Sequence, residues 1–495
     1  MIEIKNATFV YANSENEAGV KNINLTIPQG EVVLFCGASG CGKTTLTRLI
    51  NGLIPHFYEG DLSGEIRVCG KETISSELYE LAPFIGSVFQ NPKSQFYTVE
   101  TDSELVFGSE NIGMPREKIQ VNLDDTIAKL HLQSLLGRSL FALSGGQKQK
   151  IACGSVSVLH PKIFVMDEPS SNLDYEGIRK LAEVIARWKQ DGCTVVIAEH
   201  RLNWLSSLAD RVIYMADGEI VSDMTIQEFW YKSEKELHEM GLRGKPQFLF
   251  SNSNIASTAK PIVFEHFSYV YKKSKNVKAL DIEHLEVPMG AVVGILGANG
   301  AGKSTFGQCL CGLEEVKTGN VFYKGCRLSA KERIRLSYMV MQDVNHQLFT
   351  ESVLDELLLS MEKSDMDEAV KEAKAKELLR QLDLEEYEDA HPMSLSGGQK
   401  QRVSIACALA SGKEILVYDE PTSGLDFRHM VEFSKLIFEM QKAGQTQFVI
   451  THDPELLERC CDYLLFFEYG KVSWHCGADA ESAARLREFF TLNTC

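Results

Sequence analysis

The chain has 495 residues, 44% of them apolar and 24% charged, and a formal net charge of −17. That length exceeds what one hydrophobic core serves and predicts two or three domains, while the composition excludes a disordered chain. The acidic balance, 51 Lys and Arg against 68 Asp and Glu, argues against a broad nucleic-acid surface, which needs cations to neutralise phosphates.

Met1 leads directly into Ile2-Glu3-Ile4-Lys5 with no signal-peptide pattern, and no apolar run approaches the ~20 residues of a bilayer span. Any membrane part is therefore expected from a partner. Residues 2–11 and 22–35 form short β-like segments around a polar loop at 13–17, with Tyr11 just before that loop. The apolar run Val32–Cys36 then enters Gly37-Ala38-Ser39-Gly40-Cys41-Gly42-Lys43-Thr44-Thr45. A strand before this GxxxxGK[ST] pattern and an expected helix at 46–52 after it identify a phosphate-binding loop. Its chemistry follows from its composition. Glycines let backbone N–H groups curl around phosphate oxygens, and the helix presents its N-terminus to the same anion. Lys43 adds a mobile charge for the β- and γ-phosphates, and the Thr44 hydroxyl can ligate Mg²⁺. ATP and Mg²⁺ are the expected ligands.

The next stretch, 51–70, holds His56 with no second His or Cys at ligand spacing, so it is expected as a loop residue and not a metal ligand. A short strand at 84–89 ends in Gln90. Residues 101–135 show apolar spacing near 3.6 with a break at Gly113-Met114-Pro115, which predicts helices. The segment 143–174 reads LSGGQKQKIACGSVSVLHPKIFVMDEPSSNLD. Its Gly-Gly turn opens a helix, which leads to a short apolar run delivering Asp167 and Glu168. Such a run is how a buried parallel strand presents carboxylates at its C-terminal edge. Asp167 is the candidate for Mg²⁺. Glu168, aimed elsewhere by strand alternation, is the candidate general base for water. A helix at Tyr175–Gln190 and a strand at Thr194–Ala198 follow, ending at Glu199-His200-Arg201.

Polar and unpatterned, 241–260 marks a seam, giving expected domains at 1–245 and 261–495 with a flexible linker at 246–260. The sequence then repeats. A second phosphate loop, Gly297-Ala298-Asn299-Gly300-Ala301-Gly302-Lys303-Ser304-Thr305, lies 260 residues after the first (303 − 43). LSGGQ, the apolar run, the acids Asp419-Glu420 and a final LD recur at 395–426, 252 residues on (395 − 143). Gln342 matches Gln90 and His452 matches His200 at the same 252 offset, so eight residues are lost between phosphate loop and glutamine. Tyr271 matches Tyr11 by offset and Tyr269 by its FxY setting, and both stay candidates. The 13 cysteines are scattered without metal-type spacing and are expected as reduced, mostly buried thiols of a cytoplasmic protein.

LSGGQ followed by the apolar run, DEP and LD, twice in register, resembles the signature, Walker B and D-loop of the ATP-binding-cassette (ABC) ATPases. The resemblance covers nearly the whole chain. It implies an α/β fold of two tandem P-loop ABC ATPase domains, each with an antiparallel β subdomain and a helical subdomain. It implies that Tyr11, and Tyr269 or Tyr271, stack on adenine, and that Gln90 and Gln342 reach Mg²⁺ and the attacking water. It also implies that His200 and His452 touch the γ-phosphate. In that family two domains pair head to tail, so Ser144-Gly145-Gly146-Gln147 would face Lys303 and Ser396-Gly397-Gly398-Gln399 would face Lys43. Both sites keep the full set, and two competent sites are expected. The main departure is Asn172, where the second copy has Gly424.

Within the family, NGLIPHFYEG at 51–60, Gln90-Asn91-Pro92 with Gln95-Phe96, and Ala198-Glu199-His200-Arg201 resemble the ATPase component of energy-coupling-factor importers. Those take up vitamins or cobalt and nickel ions through a membrane coupling protein and a membrane substrate-binding protein, which implies a peripheral place on the cytoplasmic side of the cell membrane. Gln95-Phe96-Tyr97 and Gln347-Leu348-Phe349 are expected to expose apolar groups to that partner. The competing class is a soluble tandem-cassette ABC ATPase acting on ribosomes. Its members usually carry a long charged helical linker and LSGGE-type signatures, and this chain has LSGGQ twice and a short polar seam.

Overall fold

The computed structural model describes residues 1–12, 18–171, 173–250, 260–271, 277–316 and 318–491. The polar loop at 13–17, Asn172 and residues 251–259 of the expected linker lie outside the described residues. The chain divides into two compact units, 1–245 and 246–495.

In the first unit, segments that alternate in sequence become half-buried antiparallel strands. Ile2–Tyr11 pairs with Gly19–Ile27 on one side and with Gly60–Val68 on the other, and Lys71–Glu72 completes a four-stranded sheet. Runs that are apolar throughout instead form the interior of a six-stranded sheet, because both of its faces are covered. Its order is Glu219–Thr225, Arg211–Ala216, Val32–Cys36, Thr194–Ala198, Ile163–Asp167 and Ile85–Val88, parallel except for the first pair. Every residue of Val32–Cys36 and Thr194–Ala198 is buried. The ends of Val32–Cys36, Thr194–Ala198 and Ile163–Asp167 consequently share one edge, with Ala198 in register with both Phe35 and Asp167.

One face of this sheet, with Val33 and Phe35, packs on the small sheet through Ile4 and Phe9. The other, with Leu34 and Phe164, packs on Trp188 and on the helices Thr101–Asn111, Arg116–Leu130 and Gly145–Ser157 through Leu105, Leu130 and Ile151. The break between the first two helices falls where expected, at left-handed Gly113 and at Pro115, which precedes Arg116.

The second unit repeats the plan. Its large sheet runs Ser337–Val340, Ile415–Asp419, Thr446–Ile450, Val292–Leu296, Tyr463–Glu468 and Lys471–Gly477, and its small sheet Leu280–Val287, Ile262–Tyr269, Thr318–Tyr323 and Cys326–Arg327. The eight extra residues of the first unit are accommodated by the short helix Leu53–His56 and by a longer third strand, nine residues in Gly60–Val68 against six in Thr318–Tyr323. His56 anchors that segment, its Nε2 lying 3.0 Å from the Thr73 carbonyl oxygen. The twelve described cysteines are free thiols, seven of them buried.

One expectation needs correction. Residues 246–250, placed in a flexible linker, belong to the second unit. Phe248 is buried there with its ring stacked on Phe490, centroids 5.5 Å apart. The Glu458 carboxylate accepts from the backbone N–H of Leu249 at 2.7 Å and of Gln247 at 3.3 Å. A short apolar triplet, Phe248-Leu249-Phe250, in a polar stretch is lost when pattern is averaged over twenty residues.

Candidate functional site

Each phosphate loop leaves a strand end and enters a helix at its lysine. The helices are Lys43–Ile50 and Lys303–Leu310, the first starting three residues earlier than expected. Left-handed Gly42 and Gly302 sit at their N-caps with no side-chain cap, so the donors of the first turn are left to an anion. The loops need glycine at their entry as well. Gly37 has φ 151° and Gly297 φ 137°, and a Cβ on either would come within 2.2 Å of the Met215 or Phe467 carbonyl oxygen. Lys43 and Lys303 are buried and fold back on their loops. Lys43 Nζ donates to the carbonyls of Gly37 and Ala38, both at 2.9 Å, and Lys303 Nζ to those of Gly297 (2.6 Å) and Ala298 (3.0 Å).

The carboxylates meet these loops across the sheet. Thr44 Oγ1 donates to Asp167 Oδ1 at 3.1 Å, and Ser304 bonds Asp419 in the same way. Burial, and then the neighbouring Glu168 charge, push Asp167 up to about 6 despite its Thr44 bond. Burial likewise raises Asp419. A pair of hard oxygen donors of this kind, its carboxyl raised by burial, suits a divalent cation.

Glu168 and Glu420 are not aimed by strand alternation as expected. Both lie just past the strand and take left-handed backbone, with φ 43° and 52°. Glu168 Oε2 accepts from Gln90 Nε2 at 2.8 Å, and its Oε1 lies 3.3 Å from His200 Nε2. Burial pushes this carboxyl up, but the His200 bond and the charges of His200, Lys43 and Arg201 outweigh it and hold it below the ordinary value. Glu420 meets His452 twice, through the ring Nε2 at 3.7 Å and through the backbone N–H at 3.3 Å. Gln342 is exposed at the position matching Gln90.

Contacts separate the two aromatic candidates. Tyr11 Oη is 3.3 Å from Thr45 Oγ1, and Tyr271 Oη is 2.9 Å from Thr305 Oγ1, the same contact 34 residues along each chain segment. Tyr269 instead bonds the Glu314 carboxylate and holds the place of Phe9, edge-on to its neighbouring tyrosine. In the first unit Arg48 donates to Tyr11 Oη at 2.9 Å and lies 3.9 Å over the Tyr58 ring. Arg48 and Tyr58 were missed in sequence, and Tyr58 belongs to the extra segment.

The LSGGQ turns are capping boxes at the starts of Gly145–Ser157 and Gly397–Ala410. Gln147 and Gln399 accept from the Ser144 and Ser396 N–H at 3.0 and 2.8 Å, and each serine accepts in return. Gly145, Gly146, Gly397 and Gly398 form the first turns. Of the two apolar triplets, only the aromatic tips are exposed, Tyr97 at 77% and Phe349 at 73%. Phe96 packs at the edge of the core and Leu348 is 2% exposed within it, contrary to expectation. A buried glutamate fixes each tip. Glu104 accepts from the Tyr97 and Thr98 N–H groups at 3.1 and 2.9 Å, and Glu356 from those of Phe349 and Thr350.

Sequence reading also missed two carboxylates beside the histidines. Glu199 is buried, accepts from Ser170 Oγ, and is pushed up to about 7 by its burial. Asp453, also buried, accepts from Thr422 Oγ1 at 2.9 Å.

Comparison with known proteins bears on the family and the fold. The ABC transporter family model matches residues 20–171 and 280–423. A protein of Treponema denticola described as an ABC transporter ATP-binding protein is 44% identical over 477 residues, covering 95% of this chain and 96% of its own. One of Methanosarcina acetivorans, described in the same words, is 30% identical over 524 residues, covering 95% and 85%. Among solved structures, the archaeal ribosome recycling factor aABCE1, in complex with the ribosomal stalk protein aP1, matches with a TM-score of 0.67 over 98% of this chain and 92% of that one. At 22% identity that likeness is one of fold alone. With family model, full-length relatives and fold in agreement, the chain belongs to the ABC transporter ATP-binding family and is an ATPase of two tandem cassettes.

Proposed function

We propose that this ATPase powers an importer of the energy-coupling-factor type, which takes up a vitamin or a cobalt or nickel ion. Its partners are a membrane coupling protein and a membrane substrate-binding protein, and it sits peripherally on the cytoplasmic face. The observation that carries the reading is the repeated exposed aromatic, Tyr97 and Phe349, held just past Gln90 and Gln342 by a buried glutamate. An aromatic exposed at the same place in both units, on backbone fixed by a buried glutamate, fits a surface that a partner covers. No helix among the described residues is long and apolar enough to cross a membrane. The segments at 51–60, 90–96 and 198–201 favour the importer subtype.

In each site the loop N–H groups and Lys43 or Lys303 hold the β- and γ-phosphates, the lysine exchanging its loop carbonyls for phosphate oxygens. Tyr11 and Tyr271 stack on adenine. Thr44 with Asp167, and Ser304 with Asp419, hold Mg²⁺, which supplies charge neutralisation on the phosphates. Glu168 and Glu420 take the proton of the attacking water, Gln90 and Gln342 orient that water, and His200 and His452 keep the glutamate directed at it. Serines and glycines of the two LSGGQ turns add donors for the γ-phosphate.

The test is to purify the chain from detergent-solubilised native membranes. An integral membrane protein should copurify, and Y97D/F349D should lose it while melting at the wild-type temperature. Retention of that protein by Y97D/F349D, or recovery of the chain with ribosomal subunits, would overturn the reading.

A further inference from the structure

We infer that Glu199 and Asp453 are positioning residues for ATP hydrolysis, two forms of one clamp that fixes the segment carrying the catalytic glutamate. The inference rests on reading Glu168 and Glu420 as the bases.

Both glutamates hold a left-handed backbone that a residue with a Cβ keeps only under constraint. In each unit one tie precedes the glutamate side chain and one follows it. Before it, the Glu168 N–H donates to the Ala198 carbonyl at 2.9 Å, and the Glu420 N–H to the Ile450 carbonyl at 2.9 Å. After it, two residues on, the hydroxyl of Ser170 bonds Glu199, and that of Thr422 bonds Asp453 at 2.9 Å. All four ties end on the neighbouring strand or the turn that leaves it, where His200 and His452 lie. The glutamate and the histidine it contacts are therefore held to one frame.

The two units reach this arrangement from opposite sides. The carboxylate precedes the histidine in Glu199-His200 and follows it in His452-Asp453. Thr451 stands at the place of Glu199, and Arg201 at that of Asp453. Each carboxylate has a further local task. Glu199 accepts from the His200 N–H at 2.9 Å, and Asp453 caps the helix Pro454–Cys460 through the N–H of Glu455 at 3.2 Å and of Leu456 at 3.4 Å. Those tasks differ, whereas the bond to the hydroxyl is shared. A base displaced by a fraction of an ångström loses rate without losing substrate, so the clamp should act on kcat.

The hydroxyl side can be removed without disturbing the helix cap. S170A/T422V should lower kcat at least tenfold, leave the KM for ATP within twofold, and melt within a few degrees of wild type. A transplant tests the side-switching directly. E199T/T422V, with both clamps broken, should be as slow as S170A/T422V. Adding R201D gives the first unit the Thr-His-Asp order of the second, and should return kcat to that of T422V alone. A kcat for S170A/T422V within twofold of wild type, or no gain from R201D, would overturn the clamp. E168Q/E420Q separates the two readings. If it hydrolyses ATP at the wild-type rate, the base assignment fails; if it is inactive while S170A/T422V is not slowed, only the clamp fails.

Discussion

The two units differ at a point where they do the same thing. The first ends its histidine strand in Glu199-His200-Arg201 and the second in Thr451-His452-Asp453, yet each brings a carboxylate to the hydroxyl three residues past its Asp167 or Asp419. The contact is kept while the position that supplies it has moved across the histidine. Local structure follows the move. Asp453 is a helix N-cap and a full helix, Pro454–Cys460, follows it, whereas Arg201 leads only to the single 3₁₀ turn Asn203–Leu205. The phosphate loops, by contrast, agree in nearly every contact. Sites tolerate exchange where a side chain supports another side chain, and resist it where backbone itself surrounds the ligand.

The largest expected effect tests whether the units are equal in chemistry. E168Q/E420Q keeps shape and hydrogen bonding but removes both bases, and turnover should fall by ~10²–10⁴ while ATP still binds. Each single change should cut steady-state hydrolysis. A silent E420Q beside an inactive E168Q would break the equivalence and make the second cassette regulatory. Stability supplies the next contrast. Leu348 lies in the core and Phe96 at its edge, so L348A should cost ~2–5 kcal/mol in denaturant unfolding and F96A less. Y97D and F349D, at exposed tips, should stay within ~0.5 kcal/mol of wild type.

Much of this was legible in the sequence because its signals are local. The phosphate loops, the acid pairs and the LSGGQ turns each occupy a few consecutive residues whose composition is dictated by backbone geometry, and the helix Tyr175–Gln190 and strand Thr194–Ala198 fall where periodicity places them. What was not legible depends on contacts between distant segments. Nothing near Phe248 signals its stacking on Phe490, and nothing near Glu199 signals that Ser170 will meet it. The direction of Glu168 was expected from strand alternation, a rule that stops at the last residue of the strand. Tyr269 and Tyr271 could be separated only by seeing which hydroxyl reaches the phosphate-loop helix.

Burial of Glu199 gives the first unit a pH dependence. The folded value of about 7 lies above the ordinary 4.5, so the folded state holds that proton more tightly. The contribution to stability is full below about pH 4.5 and is lost as pH rises towards 7. At ~1.4 kcal/mol per pH unit this amounts to ~3 kcal/mol at most. E199Q carries no such proton, so its stability relative to wild type should rise between about pH 5 and pH 8 in urea titrations. A relative stability independent of pH would show that Glu199 stays ionised when folded.

The smallest effect concerns the aromatic residues. If position over the phosphate-loop helix defines the adenine platform, Tyr11 and Tyr271 are equivalent and Tyr269 is not, whatever its sequence setting. Stacking of a base on an aromatic ring is worth ~1–3 kcal/mol, and at the lower end its loss raises a KM several-fold. Y11A and Y271A should each raise the KM for ATP with kcat little changed. Y11A should have the milder consequence, because Tyr58, edge-on to Tyr11 at 6.2 Å and held under Arg48, offers a second ring that the second unit lacks the segment to supply. Y58A should therefore be nearly silent alone and should deepen the Y11A defect. Y269F removes only the bond to Glu314 and should leave the KM within twofold. A Y269A variant that raised the KM while Y271A did not would reverse the assignment, and would mean that sequence setting, and not contact with the loop helix, marks the platform.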